Sequence, residues 1–236
     1  IGPREAWLTL LFEPDIFLLS LATVCITSAG YIINDYYDVK IDWHNKPNRV
    51  IIDTKIQRRY ALLIHGILNI IAVSIGFYFS INVTLYFIFC IFLLWLYSNL
   101  LKRLVLWGNL AIATLIGLTL MLPALYYREL PALLVLFVIF GFLTTLNREI
   151  AKDIEDMKGD RLFGCRTFPI VFGIRKTKYL LYALGALTIL MLAASVVWIP
   201  FKLYVFWMVF CVLPICWVLY STYKASNPYH FKLISF

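Results

Sequence analysis

Acidic side chains are scarce in this chain, with 13 Asp and Glu among 236 residues, and all charged residues together make up only 14%. A soluble globular domain carries roughly 25% charged residues, so an ordinary water-soluble fold is excluded. No low-complexity stretch and no Gly/Ser linker interrupts the sequence, so residues 1–236 are read as one domain. The opening "IGPREAWLTLLFEPD" has neither a basic leader nor a small-residue cleavage site, which argues against a signal peptide there. The five cysteines include no pair at metal-finger spacing.

Apolar residues fill the space that charge leaves. They make up 62% of the chain, and the mean hydropathy is +0.85. Seven runs of about 20 residues are each long enough to cross a hydrocarbon core of about 30 Å as a helix: 16–34, 58–79, 83–100, 105–127, 131–150, 178–199 and 203–222. In lipid a spanning segment must satisfy its own backbone polar groups, and these runs are continuously apolar rather than alternating. The expected fold is all-α, a polytopic transmembrane helical bundle. The end, "NPYHFKLISF", stops where another helix could begin, so further spans before Ile1 and after Phe236 are expected.

The 21 Lys and Arg divide unevenly between the two sides of such a bundle. Eighteen fall at 35–59, 102–103, 148–178 and the C-terminal end, and only Arg4, Arg128 and Lys202 fall on the other side. The positive-inside rule makes the basic side cytoplasmic. Anionic membrane lipids suit such a face, and nucleic acid is not an expected partner. Cys25, Cys90, Cys211 and Cys216 lie in spans and Cys165 lies on the cytoplasmic side, where thiols stay reduced, so no disulfide framework is expected. The outer connections near 80–82 and 127–130 are short. The sequon at Asn82 sits on a membrane boundary and carries no weight. The longer connections, 35–57 and 151–177, are both cytoplasmic, and that is where function is expected.

Eight of the 13 acidic residues crowd into two places, "NDYYDVKID" (34–42) and "NREIAKDIEDMKGDR" (147–161). Their aspartates repeat one spacing: Asp35, Asp38 and Asp42, then Asp153, Asp156 and Asp160. On a helix, positions i, i+3 and i+7 share a face. Each set is therefore a stripe of carboxylates at the cytoplasmic end of a span, and Glu155 does not fit the second stripe. Like charges so placed repel, and desolvation near the membrane adds to the cost. Mg²⁺ takes oxygen ligands, typically one or two carboxylates plus phosphate oxygens. Two such stripes suit Mg²⁺ ions around a diphosphate, with Lys and Arg completing the grip. Two other readings stay open: solvated helix ends, and a cation channel or transporter. The repeated spacing weighs against the first. The position at span ends, away from the midplane, weighs against the second.

"NDYYDVKID" resembles the first aspartate signature of the UbiA superfamily of intramembrane prenyltransferases, and "DIEDMKGD" resembles the second. "NKPNR" (45–49), "YSNLLKR" (97–103) and "GCRTFPIVFG" (164–173) are further matches, so the resemblance covers every cytoplasmic segment in order. It implies a bundle of nine spans around a lipid-open cavity and Mg²⁺-dependent transfer of a prenyl group from a polyprenyl diphosphate to an acceptor. Seven spans are visible here, so 1–236 is expected to be a prenyltransferase domain without the first and last family helices. The stretch 147–161 is most similar to the digeranylgeranylglyceryl phosphate synthases, which implies a geranylgeranyl donor and geranylgeranylglyceryl phosphate as acceptor, in ether-lipid synthesis. The branch that prenylates aromatic acids, 4-hydroxybenzoate or a naphthoate, for quinones is the alternative.

The resemblance implies Asp35, Asp38, Asp42, Asp153, Asp156 and Asp160 as Mg²⁺ ligands, direct or through water, with Asp35, Asp38, Asp153 and Asp156 central to catalysis. Asn34, at i−4 to Asp38, is a candidate ligand or diphosphate donor. Lys46, Arg49, Lys102 and Arg103 are candidates to grip the diphosphate. Arg148 and Lys152, four apart on the second motif helix, are candidates for the diphosphate or for an acceptor phosphate. Tyr97 is the favoured aromatic partner for an allylic cation, ahead of Tyr36, Tyr37 and Trp107, which belt or packing roles explain equally well. His44 is assigned a loop role and His65 that of a satisfied polar residue inside a span; His230 lies near the end. An Asp or the released diphosphate is expected to take the acceptor's proton. Gly159 and Gly164 are expected to permit turns after the second stripe.

Overall fold

The computed structural model describes residues 13–45, 50–197, 201–225 and 231, except the side chains at 44–45, 201–203 and 206–207. Every regular element among the described residues is helical, and the chain forms two compact units, 1–99 and 100–236.

The first unit holds α1 (Pro14–Asn45), α2 (Arg58–Phe79) and α3 (Ile81–Asn99). Pro14 opens α1 with its φ already set for a helix, and Asp15 lies in the first turn, where the helix dipole favours a carboxylate. The 32 residues of α1 extend about 48 Å at about 1.5 Å per residue, well beyond a hydrocarbon core of about 30 Å. Its last three turns, which carry "NDYYDVKID", therefore project past the apolar layer. Inside the unit, both ring nitrogens of His65 find partners. His65 Nδ1 lies 3.0 Å from the Ala29 carbonyl and Nε2 lies 3.0 Å from Asn69 Nδ2. A carbonyl only accepts and an amide NH₂ only donates, so this network sets the Nδ1–H tautomer. That is the satisfied span histidine the sequence suggested. α2 and α3 are joined by Ser80 alone. The Ser80 N–H donates to the Gly76 carbonyl and its Oγ accepts from the Val83 N–H, capping α3. A Cβ on Gly76 would lie 2.9 Å from the Thr84 Cα, so only glycine permits this approach.

The second unit holds a 3₁₀ turn (Leu101–Arg103), α4 (Trp107–Tyr127), α5 (Ala132–Leu162), α6 (Phe168–Ala194), a 3₁₀ turn (Ser195–Val197) and α7 (Phe201–Lys224). Its core gathers Ala113, Leu146, Ile150, Ile154 and Leu181 from α4, α5 and α6, with Ala225 and Phe231. α5 ends in a Schellman cap. The Cys165 N–H donates to the Asp160 carbonyl at 2.9 Å and the Gly164 N–H to the Arg161 carbonyl at 3.3 Å, with Gly164 at φ +72°. Gly164 thus makes the expected turn. Gly159 does not: it is buried inside α5. α6 begins at Phe168, ten residues before the apolar run, and is broken at Gly173 (φ 83°, ψ 160°).

Among the described residues, six helices are long and apolar enough to cross a membrane, and Met208–Lys224 of α7 is a shorter apolar stretch. Their large apolar side chains are widely exposed, including Ile70 (67%), Phe77 (63%) and Leu190 (67%). A water-soluble monomer does not carry so much exposed apolar surface; lipid is its natural contact. The protein is an integral membrane protein. The seven expected runs match seven helices, and 58–79 has the same bounds as α2. Besides the turn at Gly159, a second expectation needs correction. Residues 35–45 and 151–162 are not loop but the continuing ends of α1 and α5. This leaves connections at 46–57 and 163–167.

Candidate functional site

In the first unit, Asn34, Asp35, Asp38 and Asp42 all lie on one continuous helix. Asp38 and Asp42 are half-buried and Asp35 is exposed. Asn34, Asp38 and Asp42 form an i, i+4, i+8 ladder, a row of oxygen-bearing side chains up one side of α1. The helix is held there by a small apolar cluster of Val39, Val50, Ile52 and Ala61, with Ile32 and Tyr36 packed against it. Arg58 adds a polar clasp. Its Nε donates to Asp53 Oδ2 at 2.7 Å, and its guanidinium sits 5.6 Å from the Tyr36 ring centre. Tyr36 meets Tyr37 edge to face at 5.6 Å. Tyr97, near the end of α3, is half-buried. Lys46 and Arg49 lie outside the described residues, as does the His44 side chain.

In the second unit, Asp153, Asp156 and Asp160 are half-buried on α5. Asp153 is held from α4: Asn109 Nδ2 donates to Asp153 Oδ2 at 2.9 Å. Asn109 is 6% exposed. Sequence reasoning missed it, although an amide six residues after "YSNLLKR", near the start of the apolar run 105–127, was a usable signal. One turn before Asp153, Glu149 is buried and accepts a hydrogen bond from Arg148 Nη1 at 2.5 Å. Arg148, Lys152, Asp156 and Asp160 form a second i, i+4 ladder, basic at one end and acidic at the other. Asp153 lies about 60° around the helix from Asp156, on the side toward α4.

Lys102 and Arg103 lie in the 3₁₀ turn, where Lys102 is half-buried and Arg103 exposed. Two contacts fix this turn in its unit. The Arg166 N–H donates to the Arg103 carbonyl at 2.8 Å, joining "YSNLLKR" to "GCRTFP". A Cβ on Gly108 would lie 2.7 Å from the Lys102 Cα, so α4 starts against the turn as only a glycine can. Trp107 is exposed, as a belt residue would be.

The site-bearing ends of both units are thus rich in carboxylate and amide oxygen and poor in imidazole and thiolate. Among the described residues no three Asp, Glu, His or Cys side chains form a ready-made metal cage. Hard donors without a closed cage suit a Mg²⁺ ion that arrives with phosphate oxygens, because Mg²⁺ keeps few protein ligands.

These features define a polytopic membrane protein with an aspartate-striped helix end in each of two units. Comparison with known proteins names the family. The chain belongs to the UbiA prenyltransferase family, whose model it matches over residues 6–232. It is 38% identical over 177 residues to the digeranylgeranylglyceryl phosphate synthase of Methanosphaera stadtmanae, a match covering 75% of this chain and 65% of that protein. The first three curated relatives are all digeranylgeranylglyceryl phosphate synthases, and the chain spans 58–65% of their length. Among solved structures it resembles a UbiA homologue from Archaeoglobus fulgidus bound to GPP and Mg²⁺, with TM-score 0.76, 15% identity, and 94% of this chain and 83% of that chain covered. It also resembles a structure of digeranylgeranylglyceryl phosphate synthase, with TM-score 0.71, 24% identity, and 94% and 79% covered. These two likenesses bear on the fold.

Proposed function

We propose that this chain carries out Mg²⁺-dependent transfer of a geranylgeranyl group from its diphosphate to geranylgeranylglyceryl phosphate, forming the second ether bond of a lipid. The carrying observation is the similarity to digeranylgeranylglyceryl phosphate synthases at 38% identity. The two carboxylate–amide helix ends supply chemistry of the right kind. Residues 1–236 act as one prenyltransferase domain. The active face is cytoplasmic, since 18 of the 21 Lys and Arg lie on that side.

Asn34, Asp38 and Asp42 on α1 and Asp153, Asp156 and Asp160 on α5 would hold Mg²⁺, with Asp35 beside the first row. Mg²⁺ held by these residues would supply positive charge against the diphosphate leaving group. The protein's own share is positioning. Asn109 orients Asp153, the Schellman cap ends α5 just beyond Asp160, and the Arg58 clasp steadies the first motif through Tyr36. Lys102 and Arg103, with Lys46 and Arg49, grip the leaving diphosphate. Tyr97 offers a π face to developing positive charge. The prenyl chain lies among apolar side chains, which exclude water.

The test is a radiolabelled transfer assay on the intact protein in lipid, with geranylgeranyl diphosphate and Mg²⁺. Geranylgeranylglyceryl phosphate and 4-hydroxybenzoate are offered in parallel. Product on the glyceryl phosphate is expected. Product only on the aromatic acid would overturn the acceptor, and Mg²⁺-dependent ion flux without any transfer would overturn the enzyme.

A further inference from the structure

Within the second unit, α5, α6 and α7 border a cleft of about 410 Å³, inside the range of about 300–1,000 Å³ typical of small-molecule sites. Phe140, Thr188, Phe210, Cys211 and Pro214 contribute to its walls, and Arg148 lines it on the side toward the aspartate-bearing end of α5. The hydroxyls on this wall are turned back on their own helices. Thr144 Oγ1 donates to the Phe140 carbonyl at 2.7 Å and Thr188 Oγ1 to the Leu184 carbonyl at 2.8 Å. Asn147 Nδ2 donates to the Leu181 carbonyl at 3.2 Å. Each of these groups thus already donates a hydrogen bond within the bundle, and most of the rest of the wall is apolar. Arg148 differs. Its side chain is 52% exposed and gives Nη1 to Glu149, while a guanidinium has five N–H donors in a planar fork that suits phosphate.

An apolar cleft between apolar helices of a membrane protein, with a half-exposed guanidinium at one end, is shaped for an amphiphile with an anionic head. The i, i+4 ladder on α5 ties it to the second stripe. Arg148 and Asp156 are eight residues apart, about 12 Å along the axis, with Lys152 midway. A phosphate at Arg148 would lie beside, and not on, the carboxylates.

We infer that this cleft is the acceptor site: it seats the first isoprene units of a glyceryl phosphate lipid, and Arg148 grips the lipid's phosphate. This rests on the proposed function and names the part of the chain that reads its acceptor. A phosphate-bearing acceptor then depends on Arg148, while the prenyl diphosphate does not.

Two readouts on the intact protein in lipid vesicles test this. In steady-state transfer, Arg148→Gln should raise the KM for geranylgeranylglyceryl phosphate at least about tenfold, the scale of one charge-assisted phosphate contact. The KM for geranylgeranyl diphosphate should stay within about twofold, and Arg148→Lys should recover part of the loss. The second readout needs no turnover. With Cys216→Ser removing the exposed thiol, N-ethylmaleimide labelling of Cys211 should be slowed by geranylgeranylglyceryl phosphate and not by geranylgeranyl diphosphate. Protection by the diphosphate, or a rise in donor KM instead, would make this a donor-chain site and overturn the inference. Equal protection by phosphatidic acid would make it a general lipid groove and also overturn it. If the unsubstituted protein fails to transfer to the glyceryl phosphate while that lipid still protects Cys211, the proposed reaction falls but the lipid site stands.

Discussion

The hydrogen bond between Asn109 and Asp153 is the most exacting place to test how the second stripe is held. Asn109 is 6% exposed, and its Nδ2 lies 2.9 Å from Asp153 Oδ2. Asn109→Ala removes the donor and leaves the carboxylate oxygen without it in a half-buried position. A hydrogen bond to a charged group contributes about 1.5–3 kcal/mol, and each 1.4 kcal/mol is about tenfold in rate. If the bond serves to aim Asp153 in the transition state, kcat/KM should fall about 10- to 100-fold. Asn109→Asp should be worse, because it sets a second carboxylate at hydrogen-bond distance from the first. The decisive form is a double-mutant cycle of Asn109→Ala and Asp153→Ala, read as kcat/KM in proteoliposomes with thermal unfolding alongside. A coupling energy of about 1.5 kcal/mol or more is expected. Coupling below about 0.5 kcal/mol, or lost stability with an unchanged rate, would refute the positioning role and leave Asn109 as a packing residue.

Asp38→Asn and Asp156→Asn keep side-chain volume and remove a charge. Each should lower turnover at least about a hundredfold while the protein stays folded, as when a group stabilising the reacting charge is removed; near-normal turnover in both would sink the two-stripe mechanism. Two glycines separate backbone strain from crowding. Gly164→Ala meets no atom within 4 Å but must adopt φ +72°, at a cost of about 1 kcal/mol. Gly76→Ala must instead place a Cβ 2.9 Å from the Thr84 Cα, at about 1–3 kcal/mol. Thermal unfolding should rank Gly76→Ala as the more damaging, and the reverse order would contradict the packing of α2 against the start of α3.

What could be read from the sequence follows from what lipid enforces. An apolar run in a bilayer has to be a helix, so Arg58–Phe79 was legible to the residue, and Ile81–Asn99 and Trp107–Tyr127 to within two. Where the apolar layer ends, the signal ends with it, although the helix does not. "DVKIDWHN" and "DIEDMKGDRL" are too polar to count as span, yet backbone hydrogen bonding carries α1 to Asn45 and α5 to Leu162. The i, i+3, i+7 spacing of the aspartates was the one trace of that continuation, and α1 and α5 do carry all six aspartates on helix. It could not reveal what supports a stripe. Asn109 and Asp153 are 44 residues apart, and nothing local to either predicts the pairing. Arg148 and Lys152 illustrate the same boundary. Their spacing was plain, but their setting was not: α5 runs unbroken from Arg148, which lines the cleft, through Lys152 to Asp156 and Asp160. One helix can therefore carry two duties at different heights and angles, a basic group on the wall of a lipid-sized cleft and carboxylates at the end that leaves the membrane. An unbroken, capped helix keeps the two at a fixed separation. The Schellman turn comes at Gly164, one turn past the last aspartate, while Gly159 stays buried inside α5.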